Sequence, residues 1–217
     1  TLAVRAPSGL HPGSGGPTEQ SDTTLNVPMS AGSGDEEYLH AFDHTVVPAI
    51  ERLLEWTGIE LTHVGGVAVG IGPGLYTGLR VGVEAAKALA QVLGVPIVGI
   101  CSLDVLAFGV QHTGRLIVSV IDARRHEVFY GLYRPVPGGV MRVGEYGVAT
   151  PAALAAELEV QREEMLLVGN GAILYRNEFE QVDARVELAP ATFAHPWASA
   201  LVSLAAAQAI AAPASLP

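Results

Sequence analysis

A glycine-rich stretch, "GIGPGLYTGLR", occupies residues 70–80 between an apolar run and a helical one. Glycines at a strand-to-helix turn free backbone N–H groups to bind a phosphate at the helix N-terminus. Here the spacing is GxGxG, which differs from the dinucleotide-binding pattern GxGxxG, and the chain's single lysine, Lys87, is not in the position of a GxxxxGK[ST] loop. The stretch therefore predicts either a nucleotide loop that uses Gly72, Gly74 and Thr77, or a tight turn between two close backbones.

A cluster of charged residues stands in the stretch "IDARRHE". Its members are Asp122, Arg124, Arg125, His126 and Glu127. Carboxylates and an imidazole in one turn could perform general acid and base chemistry. Charged residues are equally typical of a turn that is simply solvated. The sequence leaves both interpretations open, and in the second Asp122 and Arg124 orient the turn while His126 is dispensable.

Two histidines in the stretch "HAFDH", His40 and His44, are four residues apart and therefore share one face of a helix, as in metal-binding helices. The stretch lacks the glutamate of the protease motif HExxH, and two surface histidines explain the spacing equally well. No serine or cysteine stands in the GxSxG pattern of a nucleophile elbow. We expect no catalytic residue and no metal site, with His40 and His44 as the candidate metal ligands to test.

The charge and composition of the chain argue against two classes of protein, stand-alone RNA-binding proteins and membrane proteins. The chain has 217 residues, 12 Lys and Arg against 22 Asp and Glu, and a formal net charge of -10. This charge repels the phosphate backbone that dominates nucleic-acid affinity, which argues against a stand-alone RNA-binding protein. No apolar stretch reaches the roughly 18 residues of a membrane span. A single cysteine, Cys101, agrees with a reducing compartment, so we expect a cytoplasmic protein without membrane association.

Helices and strands alternate in the first half of the chain. Residues 8–35 are rich in Gly, Ser, Pro and Thr and predict a loop, in which only residues 24–29 resemble a strand. Ser33 and Glu36 have capping-box spacing, and apolar residues then recur at helical intervals until Gly58. The predicted elements are a helix Tyr38–Thr57 bent by Pro48, a strand Gly66–Gly72, a helix Gly78–Leu93, a strand Pro96–Cys101 and a helix Leu103–Gly109. This alternation predicts an α/β layer with parallel strands.

The second half begins with "LIVSVIDARRHEVFYGLYRP", which predicts two strands joined by a charged turn, an antiparallel hairpin. The predicted elements that follow are a helix Thr150–Leu158, a strand Met165–Val168 before "GNGA", and a helix Trp197–Ile210. We therefore expect two α/β domains, residues 1–110 and 111–217, connected near Gln111–Gly114.

The helix after the glycine loop has its polar side chains in one narrow sector. At about 100° per residue, that sector contains Arg80, Glu84, Lys87 and Gln91. Gly78, Gly82 and Ala85 lie opposite, and the remaining positions are apolar or glycine, so the helix is expected to be buried almost all round. Small residues allow another backbone to come close. That backbone belongs either to the sheet of the same domain or to a partner helix.

The motifs carry a resemblance to a known family. The segment "GIGPGLYTGLRVGVEAAKALAQVLGVPIVGICSLDVLA" is similar to the signature region of the TsaB family, and "VIDARRHEVFYGLY" resembles the hairpin of its second domain. The similarity extends over residues 39–133 in order and spacing, and more loosely to the terminal helix. It implies the two-domain α/β fold of actin, hsp70 and the sugar kinases, with mixed sheets flanked by helices.

The resemblance also implies a role in making threonylcarbamoyladenosine next to the anticodon of tRNA. In this family, once called glycoproteases, TsaB is a non-catalytic partner, TsaD carries the metal and transfers the threonylcarbamoyl group, and TsaE is an ATPase of the same assembly. We expect no cofactor of its own, a heterodimer with TsaD through helices 38–57 and 78–93, a homodimer when TsaD is absent, and only indirect contact with tRNA. The expected interface residues are Leu39, Phe42, Val46, Ile50, Leu53, Gly78, Gly82, Ala85 and Leu89.

Several positions depart from the family pattern. Family members open with a strand similar to "LAIDTST", whereas this sequence reads "LAVRAPS", with Arg5 in place of an aspartate that serves phosphate and metal chemistry in enzymes of the fold. Phe42 stands where the family often has a histidine, the opening strands are hard to place within residues 8–35, and the C-terminal segment "PLYLR" is missing. The cation at Arg5 argues against hydrolysis, which agrees with a scaffold subunit, and the departures within residues 8–35 concern the pairing of the opening strands. The alternatives are an independent ATP-using phosphotransferase or peptidase of the same fold, and a metal-binding regulatory module.

Overall fold

A computed structural model describes residues 40, 43–44, 47–74, 76–182 and 185–211 of the chain. Several sequence predictions lie outside the described residues: the strand at 24–29, the capping box of Ser33 and Glu36, and the interface residues Leu39, Phe42 and Val46. The described chain forms two compact units. Unit 1 contains the described residues up to 71, together with 76–100 and 201–211, and unit 2 contains 72–74 and the described residues of 101–200. Compactness alone does not test the expected domains 1–110 and 111–217, which stay a prediction.

Unit 1 contains two complete helices, a pair of parallel strands and residues 201–211 of the C-terminal helix. Helix α1 (Val47–Thr57) is followed by Gly58, whose φ of 65° is in the left-handed region that favours glycine. Strand β1 (Val67–Gly70) pairs in parallel with β2 (Ile97–Ile100), and helix α2 (Tyr76–Leu93) makes the crossover between them. A crossover helix is the usual connection of parallel neighbours, because a hairpin turn cannot join them. The strand-helix-strand order predicted from the sequence is confirmed.

The interior of unit 1 forms where α2 packs on the two strands. Val67 and Val69 of β1 are buried against Ala86 and Ala90 of α2. The alanines are four residues apart, so they lie on the same side of the helix, and their small side chains allow close packing on the strands. Pro48 is the second residue of the described helix α1, and residues 45–46 before it lie outside the described residues. The bend at Pro48 stays a prediction.

Unit 2 contains a five-stranded mixed sheet flanked by helices. Its strands are β3 (Leu116–Arg124), β4 (Glu127–Val136), β5 (Gly139–Ala149), β6 (Met165–Val168) and β7 (Val186–Leu188), in the order β5-β4-β3-β6-β7. The β5 side of the sheet is antiparallel, and the β7 side is parallel. The helices described after β2 are α3 (Ser102–Gly109), α4 (Pro151–Val160), the short α5 (Asn170–Leu174) and α6 (Arg176–Phe179), and α7 (Ala198–Ala211).

Strand β3 is the centre of unit 2 and is buried on both faces. Val118 and Val120 belong to the core that contains Leu154 of α4, whereas Ile117 belongs to the core that contains Leu103 of α3. Successive side chains of a strand point to opposite faces, so a strand covered on both sides reads as a continuous apolar run. This explains why the sequence "LIVSVI" shows no alternation of polar and apolar residues.

The sequence located seven elements to within two residues at each end, namely β1, α2, β2, α3, α4, β6 and α7, and it also located the start of β3. It gave no prediction for β5, because the glycines of "GGVMRVGEYGVA" lower the strand propensity. One of these glycines, Gly147, is required by packing, since a Cβ there would overlap the ring of Tyr130 on the neighbouring strand. Within the described part of the chain, no helix combines the length and apolar character needed to cross a membrane.

Candidate functional site

Helix α2 has three distinct faces. The predicted polar sector is exposed, and within it the Lys87 Nζ lies 3.0 Å from a carboxylate oxygen of Glu84. A second face, with Ala86 and Ala90, is buried on β1. The third face contains only small and apolar residues, all exposed or half-buried, and we call it the α2 flank: Gly78, Val81, Ala85, Ala88 and Val92, with Gly82 at its border towards the buried face.

The described residues leave the α2 flank open. A Cβ added at Gly78 or Gly82 would meet no atom of the described residues within 4 Å. Val92 is 82% exposed. Within the described chain, the two strands of unit 1 cover the face of the alanines. The prediction that α2 is buried almost all round left a partner helix as one of the two possible covers, so for the α2 flank it stays a prediction.

The other predicted interface residues that the structure describes differ in accessibility. Leu53 is 8% exposed and therefore contributes to the interior of its own chain. Ile50 is half-buried, and Leu89 is half-buried against the core of unit 1. Beyond the predicted set, Trp56 and Ile59 at the end of α1 expose 58% and 37% of their surface. A large exposed aromatic side chain is typical of a binding surface.

The backbone of the glycine loop before α2 is hydrogen-bonded to the backbone at the start of α3. Gly72 is buried with a φ of 98°, and its carbonyl oxygen accepts a hydrogen bond of 2.6 Å from the N–H of Ser102, the first residue of α3. The Gly72–Pro73 peptide bond is cis. Gly74 is exposed, and Thr77 is the second residue of α2. This geometry agrees with the tight turn, and the nucleotide role of the loop stays a prediction.

The second predicted cluster forms the tip of the β3–β4 hairpin. Arg124 pairs with Glu127 across the ladder, so that Arg125 and His126 form a two-residue turn. Arg124, Arg125 and His126 have φ values of 66°, 51° and 62°. Two successive residues of positive φ are typical of a type I′ turn, whose twist matches that of the strands it joins. The structure thus brings Asp122, Arg124 and Glu127 together at one turn.

The base of the tip is held by Asp122. Its side chain is 8% exposed, and its Oδ1 accepts hydrogen bonds from the Arg124 N–H at 3.1 Å and from the Tyr175 hydroxyl at 3.3 Å. Its Oδ2 lies 3.7 Å from the Arg124 guanidinium. The N–H of Asp122 donates to the Asn170 Oδ1 at 3.2 Å. Because both carboxylate oxygens already have partners, the arrangement supports the turn-orienting interpretation of Asp122 better than the catalytic one.

Sequence reasoning missed Asn170 and Tyr175. Tyr175 packs edge-on against His126 with ring centroids 5.2 Å apart. Burial raises the pKa of the Tyr175 hydroxyl, and the negative charge of Asp122 raises it further. Gly171 allows the approach, since a Cβ there would lie 3.0 Å from the N of Asp122. The sequence signal that could have located them is the pair of glycines in "GNGA" directly after a strand, because such glycines often mark the close approach of another backbone.

Replacement of His126 by alanine is expected to lower the free energy of unfolding by no more than about 1 kcal/mol, because the imidazole is exposed and makes one ring contact. His126→Gly is the matched control and should be at least as stable as the wild type, since glycine adopts a φ of 62° without strain. Urea unfolding followed by circular dichroism measures both. A loss of several kcal/mol in the alanine variant would mean that the imidazole is buried.

A second polar cluster connects three elements of unit 2. The hydroxyls of Tyr133 on β4 and Tyr146 on β5 both donate to Oδ1 of Asp104 on α3, each at 2.8 Å. Burial, followed by the charge of Asp104, raises the pKa of the Tyr133 hydroxyl far above its ordinary value. Burial also raises the pKa of Tyr146, together with its contact to Cys101. The cluster joins a helix to the sheet edge.

The tyrosines of this cluster predict a loss of stability at alkaline pH. Because the pKa of Tyr133 is raised in the folded chain, its contribution is complete below the unfolded pKa of about 10 and is lost as the pH rises above it. The wild type should lose about 1.4 kcal/mol more than Tyr133→Phe for each pH unit above that value. Urea unfolding at several pH values between 8 and 11 measures the difference, and parallel pH profiles would contradict it.

The two candidate metal ligands lie side by side. The rings of His40 and His44 are stacked with centroids 4.1 Å apart, and both residues are exposed. No group of three or more His, Cys, Asp or Glu side chains among the described residues could hold a metal ion. A pair of exposed histidines lacks the further ligands of a protein metal site. The absence of a metal stays a prediction that elemental analysis of the purified chain can test.

The described units, a parallel strand pair with its crossover helix and a five-stranded mixed sheet flanked by helices, define a class of α/β proteins that resembles known structures. A crystal structure of an uncharacterized protein with similarity to peptidase YEAZ from Pseudomonas aeruginosa matches with a TM-score of 0.66 and 27% identity, over 80% of this chain and 78% of that chain. The fold is of the actin-like, glycoprotease type, as predicted.

The family described as "TsaD: tRNA N6-adenosine threonylcarbamoyltransferase" matches residues 36–215, and the chain belongs to this family. The tRNA threonylcarbamoyladenosine biosynthesis protein TsaB of Bacillus subtilis is 34% identical over 64% of this chain and 62% of its own length. TsaB of Escherichia coli is 30% identical over 57% of this chain and 54% of its own length. The chain thus spans less than two thirds of the length of both relatives. The predicted resemblance to TsaB proteins is confirmed.

Proposed function

We propose that the protein is a non-catalytic scaffold subunit that binds TsaD and supports the threonylcarbamoylation of adenosine next to the anticodon of tRNA. Relatives named for threonylcarbamoyladenosine biosynthesis support the process. The observation that carries the scaffold role is the α2 flank, which is apolar, accessible in the described part of the chain, and bordered by a glycine where an added Cβ would meet no described atom within 4 Å. In this proposal TsaE joins the same assembly in the cytoplasm, and ATP and metal are used by TsaD and TsaE.

The α2 flank fits a helix of a partner. Helices pack by interdigitating side-chain ridges and grooves, and glycine and alanine allow the axes to approach closely. The flank offers Gly78, Ala85 and Ala88 as small residues and Val92 as an exposed apolar one. Burying these apolar groups would stabilise a complex by about 25 cal/mol for each Å² removed from water, before the costs of association. A second copy of the chain is the expected occupant when TsaD is absent.

The non-catalytic part of the proposal depends on the residues of the phosphate-binding regions. A phosphotransferase needs an acidic residue to hold Mg²⁺ near the phosphates, and Arg5 stands where the fold's aspartate is expected. The loop at Gly72 and Gly74 has no lysine beside it. In unit 2 the Asp122 carboxylate is already bonded to Arg124 and Tyr175. An independent phosphotransferase or peptidase is the alternative, and it requires turnover by the isolated chain.

The proposal is tested by co-expression of the tagged chain with TsaD of the same source. We expect a stable heterodimer by light scattering, and no measurable hydrolysis of ATP or of peptides by the isolated chain. A chain that fails to bind TsaD contradicts the scaffold role. Steady turnover by the isolated chain that Asp122→Ala or Glu127→Ala abolishes would establish the independent enzyme instead.

A further inference from the structure

The tip of the β3–β4 hairpin, residues 122–127, has a backbone conformation that its side chains do not favour. Arg124, Arg125 and His126 all have φ between 51° and 66°. A two-residue turn of this type prefers Asn-Gly, because non-glycine residues rarely adopt positive φ and asparagine is the one that tolerates it best. Residues held in such conformations by the surrounding structure are concentrated at functional positions.

The surrounding structure fixes this tip. The buried carboxylate of Asp122 holds the N–H of Arg124, Asn170 holds the N–H of Asp122, and the ring of Tyr175 lies against His126. These contacts come from β3, from α5 and from the residue after it, so the direction of the tip is set by the core of unit 2. A side chain on such a support loses little further conformational freedom when it binds a partner.

The exposed groups of the tip are polar and mainly basic. Arg125 is exposed and has no hydrogen bond or ion pair with any residue in the described part of the chain. The side chain of Arg124 is 69% exposed, with Asp122 as its ionic contact at 3.7 Å. Glu127 is also exposed. All six residues of the tip are described, and none is an exposed large apolar side chain.

We propose that this tip contacts the phosphate backbone of the RNA strand that the assembly acts on, with Arg125 as the principal contact and Arg124 as a second one. This direct contact replaces the indirect contact with tRNA that the family resemblance implies. The planar guanidinium donates two parallel hydrogen bonds to phosphate oxygens, and contacts of this kind position a strand without reading its sequence. A protein partner would favour an apolar centre with a polar rim, and the tip, whose single apolar residue is Ala123, has no large apolar side chain to supply that centre. The inference rests on the proposed function, because a chain of net charge -10 needs a partner that binds most of the RNA.

The test compares variants within the complex of this chain with TsaD. The double variant Arg125→Asn and His126→Gly supplies the residues that this turn prefers. It removes the arginine and also lowers the strain of the positive φ angles. Arg125→Gln removes the charge alone. Arg162→Gln, an exposed arginine between α4 and β6, is the matched control for a change of one charge. Binding of a fluorescent tRNA transcript is measured by anisotropy across salt concentrations from about 50 to 300 mM, where phosphate contacts respond.

The expected result separates RNA binding from stability. Both tip variants should reduce the slope of log K against log salt by about 0.9, because each variant binds one phosphate fewer, whereas Arg162→Gln should leave the slope unchanged. The Asn-Gly variant should melt no lower than the wild type and still co-purify with TsaD. An unchanged slope in a complex that forms normally overturns this proposal alone, as does an equal effect of Arg162→Gln. Release of TsaD by the tip variants would identify a protein contact and overturn it too. A wild-type chain that fails to bind TsaD overturns the proposed function and this inference with it.

Discussion

Replacing Gly82 by leucine is expected to abolish co-purification with TsaD and to leave the isolated chain folded. The chain itself has room for the side chain, since a Cβ at Gly82 meets no described atom within 4 Å. In the helix interior, leucine is also favoured over glycine by about 0.8 kcal/mol. In the complex, however, the new side chain would stand between two closely packed helices. Overpacking of that kind costs about 1 to 3 kcal/mol, which weakens binding by roughly 5- to 150-fold.

Two further variants make the Gly82 result specific. Gly82→Ala adds only a methyl group, so it should stabilise the helix and weaken the complex less than leucine does. Gln91→Leu places the same side chain in the exposed polar sector of α2 and should leave binding unchanged. Thermal melting of each isolated variant is measured beside its affinity for TsaD. Normal binding by Gly82→Leu would place the interface elsewhere, and an unfolded Gly82→Leu chain would mean that the glycine faces the chain's own core.

The hydrophobic pattern was sufficient to predict the elements that are covered on a defined side. The polar sector of α2 is exposed as its wheel predicts, because all four of its side chains share one direction. The apolar run at the start of β3 predicted a strand, and the structure shows it covered on both faces, since both cores of unit 2 contain its residues. In both cases the local sequence determines the direction in which each side chain points.

The pattern could not tell how far a given side chain is covered. The wheel predicted that α2 is buried almost all round and left open whether a sheet or a partner helix covers it, whereas in the described chain a pair of four-residue strands covers the Ala86 and Ala90 face. Whether an apolar face is core or interface depends on how much of the fold lies opposite, and that is a tertiary property.

Contacts between segments that are distant along the chain could also not be predicted from the sequence. Asp104, Tyr133 and Tyr146 come from α3, β4 and β5, and nothing in their spacing predicts that two hydroxyls donate to one carboxylate. Similarly, "IDARRHE" predicted a charged turn, whereas the partners of its Asp122 lie about 50 residues away in Asn170 and Tyr175. Such sites require the register of the sheet, which the local pattern does not contain.

The largest loss of stability is expected for Gly169→Ala. Gly169 follows β6 and precedes α5 with a φ of 113°, a conformation that L side chains rarely adopt. A Cβ there would overlap the carbonyl oxygen of Val120 on β3 and lie 3.0 Å from the Leu106 Cδ1. The backbone strain and the overlap each cost about 1 to 3 kcal/mol, so we expect a loss of about 3 to 5 kcal/mol. For a chain of this size, that corresponds to a decrease in Tm of roughly 10 °C.

The matched control is Gly114→Ala, at an exposed glycine before β3 where a Cβ would meet no described atom within 4 Å. It should melt within about 2 °C of the wild type, because surface substitutions change stability by about 0.5 kcal/mol or less. Thermal melting by circular dichroism compares the two variants. The overlap at Gly169 involves backbone atoms of β3, which cannot rotate away as a side chain can. A Gly169→Ala chain that melts with the control would therefore mean that the junction of β3, β6 and α5, which supports the hairpin tip, has room for a methyl group beside the Val120 carbonyl.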